Sequence, residues 1–130
     1  MPISLANIPG SHHVEAEHTG CAANATASRI ALVVPFDCTL SGIVFIPTAA
    51  MAHSATNYAI LDVQVDGSSI LDAPFTFDDA YGDLDKGELL TLDTEDTALS
   101  AGDVVFVEIT QNASGLLVPI FVTDAIFLAA

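Results

Sequence analysis

Residues 58–71 read Tyr-Ala-Ile-Leu-Asp-Val-Gln-Val-Asp-Gly-Ser-Ser-Ile-Leu. From Leu61 to Asp66 the character alternates without a break, with Leu61, Val63 and Val65 on one side and Asp62, Gln64 and Asp66 on the other. A period of two is that of a β-strand with one buried and one wet face. Asp66-Gly67 is a strong signal for a tight hairpin turn, so the chain should return as a short strand over Ser69–Leu71.

The same grammar extends outward in both directions. Toward the C-terminus, Phe75 and Phe77 alternate around Thr76, and Glu88–Leu92 reads as a strand with Leu90 and Leu92 inward. Leu99-Ser-Ala-Gly-Asp103 is a turn before the strand Val104–Gln111, whose Val105, Val107 and Ile109 point inward. Asn112–Gly115 turns the chain again, and Leu116–Leu128 closes it, with Pro119 marking an edge or a bulge. Toward the N-terminus, Leu40–Ile46 is a strand stopped by Pro47, and Ile30–Phe36 is apolar enough for burial on both faces. Roughly eight strands spaced by about ten residues, with no amphipathic helix, predict an all-β, two-sheet antiparallel β-sandwich; a barrel is the alternative.

Composition changes near residue 28. Residues 1–27 sustain neither a period of two nor one of 3.6, and predict an extended N-terminal arm ahead of a sandwich domain at 28–130. Ile3, Leu5 and Ile8 are apolar enough to be the arm's partner-binding residues. The last segment is apolar on both faces, which implies either a central position in its sheet or an oligomer interface through Phe121 and Phe127.

Charge narrows the range of partners. The 130 residues hold 2 Lys+Arg against 17 Asp+Glu, a formal net charge of -15. With only Arg29 and Lys86 as fixed cations, neither nucleic acid nor an anionic membrane surface suits the chain. Hydrophobic residues at 52% argue against disorder, and the acidity keeps so apolar a chain soluble; a salt-adapted host would favour it equally. Met1–Gly10 lacks a secretory signal pattern, and Leu116–Ala130 is too short and too polar for a membrane span. Cys21 and Cys38 are expected as free thiols, with a bridge as the alternative.

Chemistry-bearing clusters are few. His12, His13 and His18 with Glu15 and Glu17 offer metal-ligand types at a spacing that matches no zinc motif, on a segment without a rigid frame. Asp78–Glu88 concentrates carboxylates that could suit calcium, but Lys86 and Gly87 break the EF-hand pattern. His53 lies in a loop of small residues, Cys38 has no basic neighbour and no nucleophile elbow is present, so no enzyme, catalytic residue, metal or cofactor is expected. The sequons at Asn24 and Asn112 read as chance matches without a secretion signal.

Several stretches together resemble the head decoration, or cement, proteins of tailed bacteriophages. They are Arg29-Ile-Ala-Leu-Val-Val-Pro-Phe-Asp-Cys-Thr-Leu-Ser-Gly-Ile-Val-Phe-Ile-Pro47, Asn57-Tyr58 before the alternating strand, Leu99-Ser-Ala-Gly-Asp-Val-Val-Phe-Val-Glu-Ile-Thr110 and the turn Asn112-Ala-Ser-Gly115. The resemblance implies a jelly-roll-like sandwich, a homotrimer, and a place on the outer capsid surface of a virion assembled in the host cytoplasm. It also implies the major capsid protein as partner and an arm reaching neighbouring subunits. A β-sandwich ligand-binding module for a glycan or host receptor, assisted by calcium at Asp78–Glu88, is the other reading.

Overall fold

The computed structural model describes residues 11–23, 27–71 and 73–129; at 27, 28, 93, 95 and 96 it describes the backbone alone. Ile3, Leu5 and Ile8 therefore lie outside the described residues. Among the described residues nine strands form: β1 (Ser11–His18), β2 (Ala27–Val33), β3 (Cys38–Pro47), β4 (Ala59–Val65), β5 (Ser68–Ser69), β6 (Phe75–Thr76), β7 (Leu90–Leu99), β8 (Val104–Gln111) and β9 (Phe121–Ala129). No helix among the described residues is long and apolar enough to cross a membrane.

The strands make two antiparallel sheets, a four-stranded one ordered β1-β9-β3-β7 and a five-stranded one ordered β2-β8-β4-β5, with β6 also on β4. Four pairings organise both sheets: β1 with β9, β2 with β8, β3 with β7, and β4 with the short β5 and β6. These are the pairings of one long antiparallel ribbon folded at β4–β5. Rolling that ribbon places β3 beside β9 and β4 beside β8, which closes the two sheets of a jelly roll. The predicted two-sheet sandwich is thus observed, and the barrel alternative is not.

Alternation sets which side chains meet between the layers. Leu61 and Val63 of β4 and Val105, Val107 and Ile109 of β8 face in, as the sequence predicts. The hairpin forms at Asp66-Gly67, both with positive φ (54° and 80°). The four-stranded sheet contributes Phe45, Phe121 and Phe127, and the Phe45 ring packs at a tilt 4.4 Å from Phe121 and 5.5 Å from Phe77. Burying each such ring contributes roughly 2–3 kcal/mol.

β3 holds one irregularity. Its inward residues are Cys38 and Leu40, then Ile43 and Phe45, because the register on β9 slips between Leu40 and Gly42. One extra residue inverts the facing of everything beyond it. The fully buried Thr94 hydroxyl donates to the Leu40 carbonyl at 2.7 Å, and the Ser41 hydroxyl donates to the Ile126 carbonyl at 3.3 Å.

Three expectations need correcting. Residues 11–23 are not arm. Ser11–His18 pairs along β9 from Leu128 to Phe121, with His12, Val14, Ala16 and His18 turned toward the core. Cys21 and Val118 then exchange backbone hydrogen bonds at 2.9 Å in both directions. The alternation is present in β1, but histidines occupy two of its inward positions and hide it. His12 packs edge-on against Phe36, and His18 stacks on Phe121 at 4.5 Å while its Nδ1 accepts the Gly20 amide. Second, β2 is an edge strand with one exposed face carrying Arg29, Ala31 and Val33, not a strand buried on both sides. Third, β7 starts at Leu90 and runs through the acidic stretch to Leu99, well beyond the predicted end at Leu92.

Candidate functional site

The outer faces of the two sheets differ in chemistry. On the five-stranded sheet Arg29 lies over the Phe106 ring, 4.5 Å from its centroid, with Glu108 opposite it in the ladder and Asp62 opposite Glu108. Asp62 accepts from Ser69 at 2.5 Å and from Gln64 at 3.1 Å. This face mixes these charges with apolar side chains, among them Val33 at 62% exposure.

On the four-stranded sheet the register puts apolar side chains side by side. Val122 stands opposite Ile46, and Asp124 opposite Val44, with Ile126 and Leu128 continuing along β9. Each is partly or substantially exposed because it sits on the outward phase of its strand. Ile120, 46% exposed, extends the band at one end, and Leu89, 65% exposed, flanks it. Along the β1 edge the outward residues are His13, Glu15 and Glu17. His13 Nδ1 lies 2.7 Å from Asp124 Oδ2, while the buried Oδ1 of Asp124 has no hydrogen-bond partner among the described residues. An apolar band on the outward face of a sheet is a surface suited to burial against a partner.

A second concavity opens at the side of the sandwich, between the β5–β6 segment and the edge of β7 that has no partner strand among the described residues. It has a volume of about 370 Å³ and is lined by Leu71, Phe75, Tyr81, Leu90 and Leu92, with Ala73 and Thr91 at its margins. An adjoining hollow of about 330 Å³ shares Phe75 and Tyr81 and reaches Asp78. The two rings meet edge to face at 5.2 Å, and Phe75 in turn packs on the buried Phe77 at 5.0 Å.

Three carboxylates of the Asp78–Glu88 loop are engaged locally, while the buried Oε2 of Glu88 has no hydrogen-bond partner among the described residues. Asp78 accepts from the Thr76 hydroxyl and the Ala80 amide. Asp83 accepts from both the ring and the amide of His53, at 2.6 and 3.1 Å, and Asp79 lies 3.2 Å from the other ring nitrogen. The hydrogen bond from the His53 side chain, then that from its amide, holds the Asp83 carboxyl below the usual carboxylate range. No three potential metal ligands converge among the described residues. His53 is a clasp between two loops, a role that its loop of small residues did not signal.

Other candidates fall as follows. Phe121 and Phe127 cannot be an oligomer interface, since both are 0% exposed within a single chain. β9 is apolar on both faces because it is central, between β1 and β3, and these two residues occupy its inward phase. The outward phase, Val122, Ile126 and Leu128, is the face left for a partner. The three histidines of β1 point to different places, His12 and His18 inward and His13 outward. Cys21 and Cys38 are both free and buried, and burial, followed by the Asp37 and Asp103 charges, pushes the Cys38 thiol up. No family model matches this chain, and no curated protein and no solved structure shows significant similarity to it.

Proposed function

We propose that this chain is a structural virion protein, a decoration protein that binds the outer surface of a phage capsid and bridges its subunits. The observation that carries the adhesive part is the outward apolar band of Ile46, Val122, Ile126, Ile120 and Leu89. A capsid face presenting apolar side chains, with a Lys or Arg near the partly exposed His13–Asp124 pair, would bury the band. A basic rim also suits a chain of net charge -15 better than a neutral one. The outer face around Arg29, Asp62 and Glu108 would then point to solvent. The capsid as partner rests on the resemblance of Arg29–Pro47 and Leu99–Thr110 to head decoration proteins.

The test is co-sedimentation of the full chain with purified empty heads of tailed phages. The wild type should sediment with heads, and Leu89→Asp/Ile120→Asp should remain in the supernatant while keeping its fold. Failure of the wild type to bind any head, or wild-type binding by the double variant, refutes the reading. The calcium-assisted binding module has no comparable support, since Asp78, Asp79 and Asp83 are already engaged within the loop or by His53.

A further inference from the structure

We propose that the side groove of Phe75, Tyr81, Leu90 and Leu92 is a binding site for a lysine side chain displayed by another protein. The groove shares no residue with the outward band of Ile46, Val122, Ile126, Ile120 and Leu89. The inference therefore goes beyond the reading above and does not rest on it.

The shape of the cavity sets the order of the ligand's parts. The hollow of about 370 Å³ and the adjoining one of about 330 Å³ meet at Ala73, Phe75 and Tyr81, so together they form one trough that passes the two rings. On one side of the rings the walls are aliphatic, from Leu71, Leu90 and Leu92. On the other side lies Asp78, with Thr76 and Ala80. An occupant that fits both sides carries an apolar stem and a polar head.

The rings and the charge set the sign of that head. Phe75 and Tyr81 stand at 75° to each other with centroids 5.2 Å apart, as two walls of a corner. Phe75 is backed by the buried Phe77 at 5.0 Å, and Tyr81 is 44% exposed. Aromatic faces carry partial negative charge and attract a cation, and two walls at a steep angle offer two faces to one cation. Asp78 adds a full negative charge at the same end of the trough. Its loop continues through Asp79, Asp83, Asp85 and Glu88 against a single Lys86, in a chain of net charge -15. That field repels an anionic head, leaves a neutral one without benefit and draws in a cationic one.

The hydrogen bonds of Asp78 decide which cation fits. Its Oδ1 accepts the Ala80 amide at 3.0 Å, and its Oδ2 accepts the Thr76 hydroxyl at 2.9 Å. The carboxylate is thereby held in place, and each oxygen keeps acceptor capacity for one more donor. With a donor already on each oxygen, the parallel pair of bonds made by an arginine fork is disfavoured, whereas an ammonium is a point charge with rotatable donors and needs only one open position. A compact quaternary ammonium would satisfy the rings and leave the aliphatic side empty. The methylene stem of lysine lies along Leu71, Leu90 and Leu92 while its charged end stays at the open, polar side.

The test titrates the full chain with small probes and reads the ring signals of Phe75 and Tyr81 by NMR. Nα-acetyl-lysine methylamide should shift both sets of signals saturably. Nα-acetyl-norleucine methylamide keeps the stem and lacks the charge, and should bind about tenfold more weakly through joint loss of an ion pair and a cation–π contact. Asp78→Asn and Tyr81→Leu should each weaken binding of the lysine probe about threefold. Asp85→Asn, in the same loop but outside the groove, should leave it unchanged. Asp78→Asn is isosteric and Tyr81 is half-exposed, so both variants should keep the wild-type far-UV circular dichroism. Equal binding of the lysine and norleucine probes overturns the inference, because the cleft is then merely apolar. An equal loss from Asp85→Asn overturns it too, because the attraction is then a diffuse acidic field. Tighter binding of Nα-acetyl-arginine methylamide or of choline overturns the assignment to lysine. Leu89→Asp/Ile120→Asp should bind the lysine probe like the wild type, which separates this site from the outward band.

Discussion

Substituting Gly115 by Ala tests whether residues 20–23 belong to the folded body. Gly115 has φ of 74°, and a Cβ there would lie 1.7 Å from the Ala23 carbonyl oxygen and 2.9 Å from Gln111 Oε1. Those neighbours form the clasp: Cys21 and Val118 bond to each other through their backbones, and Gln111 Nε2 donates to the Leu116 carbonyl at 2.8 Å. Gly102 is the matched control, with φ of 89° and nothing within 4 Å of its added Cβ. Both variants carry the left-handed backbone cost, about 1–2 kcal/mol. Only Gly115→Ala must also displace Ala23, and losing two to three hydrogen bonds at about 1 kcal/mol each adds roughly 2–3 kcal/mol. For a chain of this size 1 kcal/mol moves Tm by about 3–5 °C, so the two variants should differ by roughly 6–15 °C. Urea and thermal unfolding followed by far-UV circular dichroism measure both. Gly20→Ala, whose Cβ would meet the Val118 carbonyl oxygen at 2.5 Å, should behave like Gly115→Ala. If Gly115→Ala and Gly102→Ala unfold within about 0.5 kcal/mol of each other, the clasp does not hold in solution, and residues 20–23 are arm after all.

Thr94→Val should cost about 1–3 kcal/mol in urea unfolding, because it strands the Leu40 carbonyl that the Thr94 hydroxyl serves at the β3 bulge; a cost near zero would mean that another donor takes over. The Asp83 carboxyl should titrate below the ordinary carboxylate midpoint of about 3.9 by side-chain NMR, and move part of the way back in His53→Gln, which keeps the backbone amide donor. Because its folded pKa is depressed, the clasp contribution is present above that ordinary value and is lost as pH falls through the folded midpoint; an unshifted midpoint in the wild type refutes it. Both thiols should resist a disulfide exchange reagent in the native protein and react together on denaturation, since Cys21 and Cys38 are buried. Fast native labelling of Cys38 would contradict its position in the core.

Legibility in the sequence followed the regularity of the ladder. β4 and β8 are regular strands with one wet face, so Leu61–Asp66 and Val104–Gln111 could be read directly. β1 escaped because its inward set is His12, Val14, Ala16 and His18, and a buried imidazole stacked on Phe121 looks like surface when hydropathy alone is read. β3 shows a run, Ile43-Val44-Phe45-Ile46, whose phase inverts relative to Leu40 at the bulge, so no single alternation fits it. In β7 the slip between Leu40/Thr97 and Gly42/Asp93 has the same effect, and the acidic residues there mask the strand. Both apolar faces of β9 were visible, but which face was free was not. That depends on strand parity against β3, which is set by tertiary register and cannot be counted from one strand.

The same rolled ribbon explains why the open side lies where it does. Three of its four pairs are long, from seven to ten residues per strand, while the fourth sets the seven-residue β4 against two-residue β5 and β6. The layer opposite β7 is therefore truncated, and a jelly roll with a truncated fourth pair exposes apolar residues of its partner edge. Phe77 seals the depth of the gap by packing on Phe45, leaving Phe75 and Tyr81 above it at the rim. Aromatic rings held half-exposed beside an unpaired backbone edge invite aggregation unless something covers them. In sequence the charges of β7 begin at Asp93, so its Leu90–Leu92 end carries none beside the aromatic rim. On that argument Tyr81→Asp, which sets a charge at the exposed rim, should stay soluble to a higher concentration than the wild type, read from the protein left in the supernatant after centrifugation. Equal solubility of the two would mean that the edge is protected by some other means.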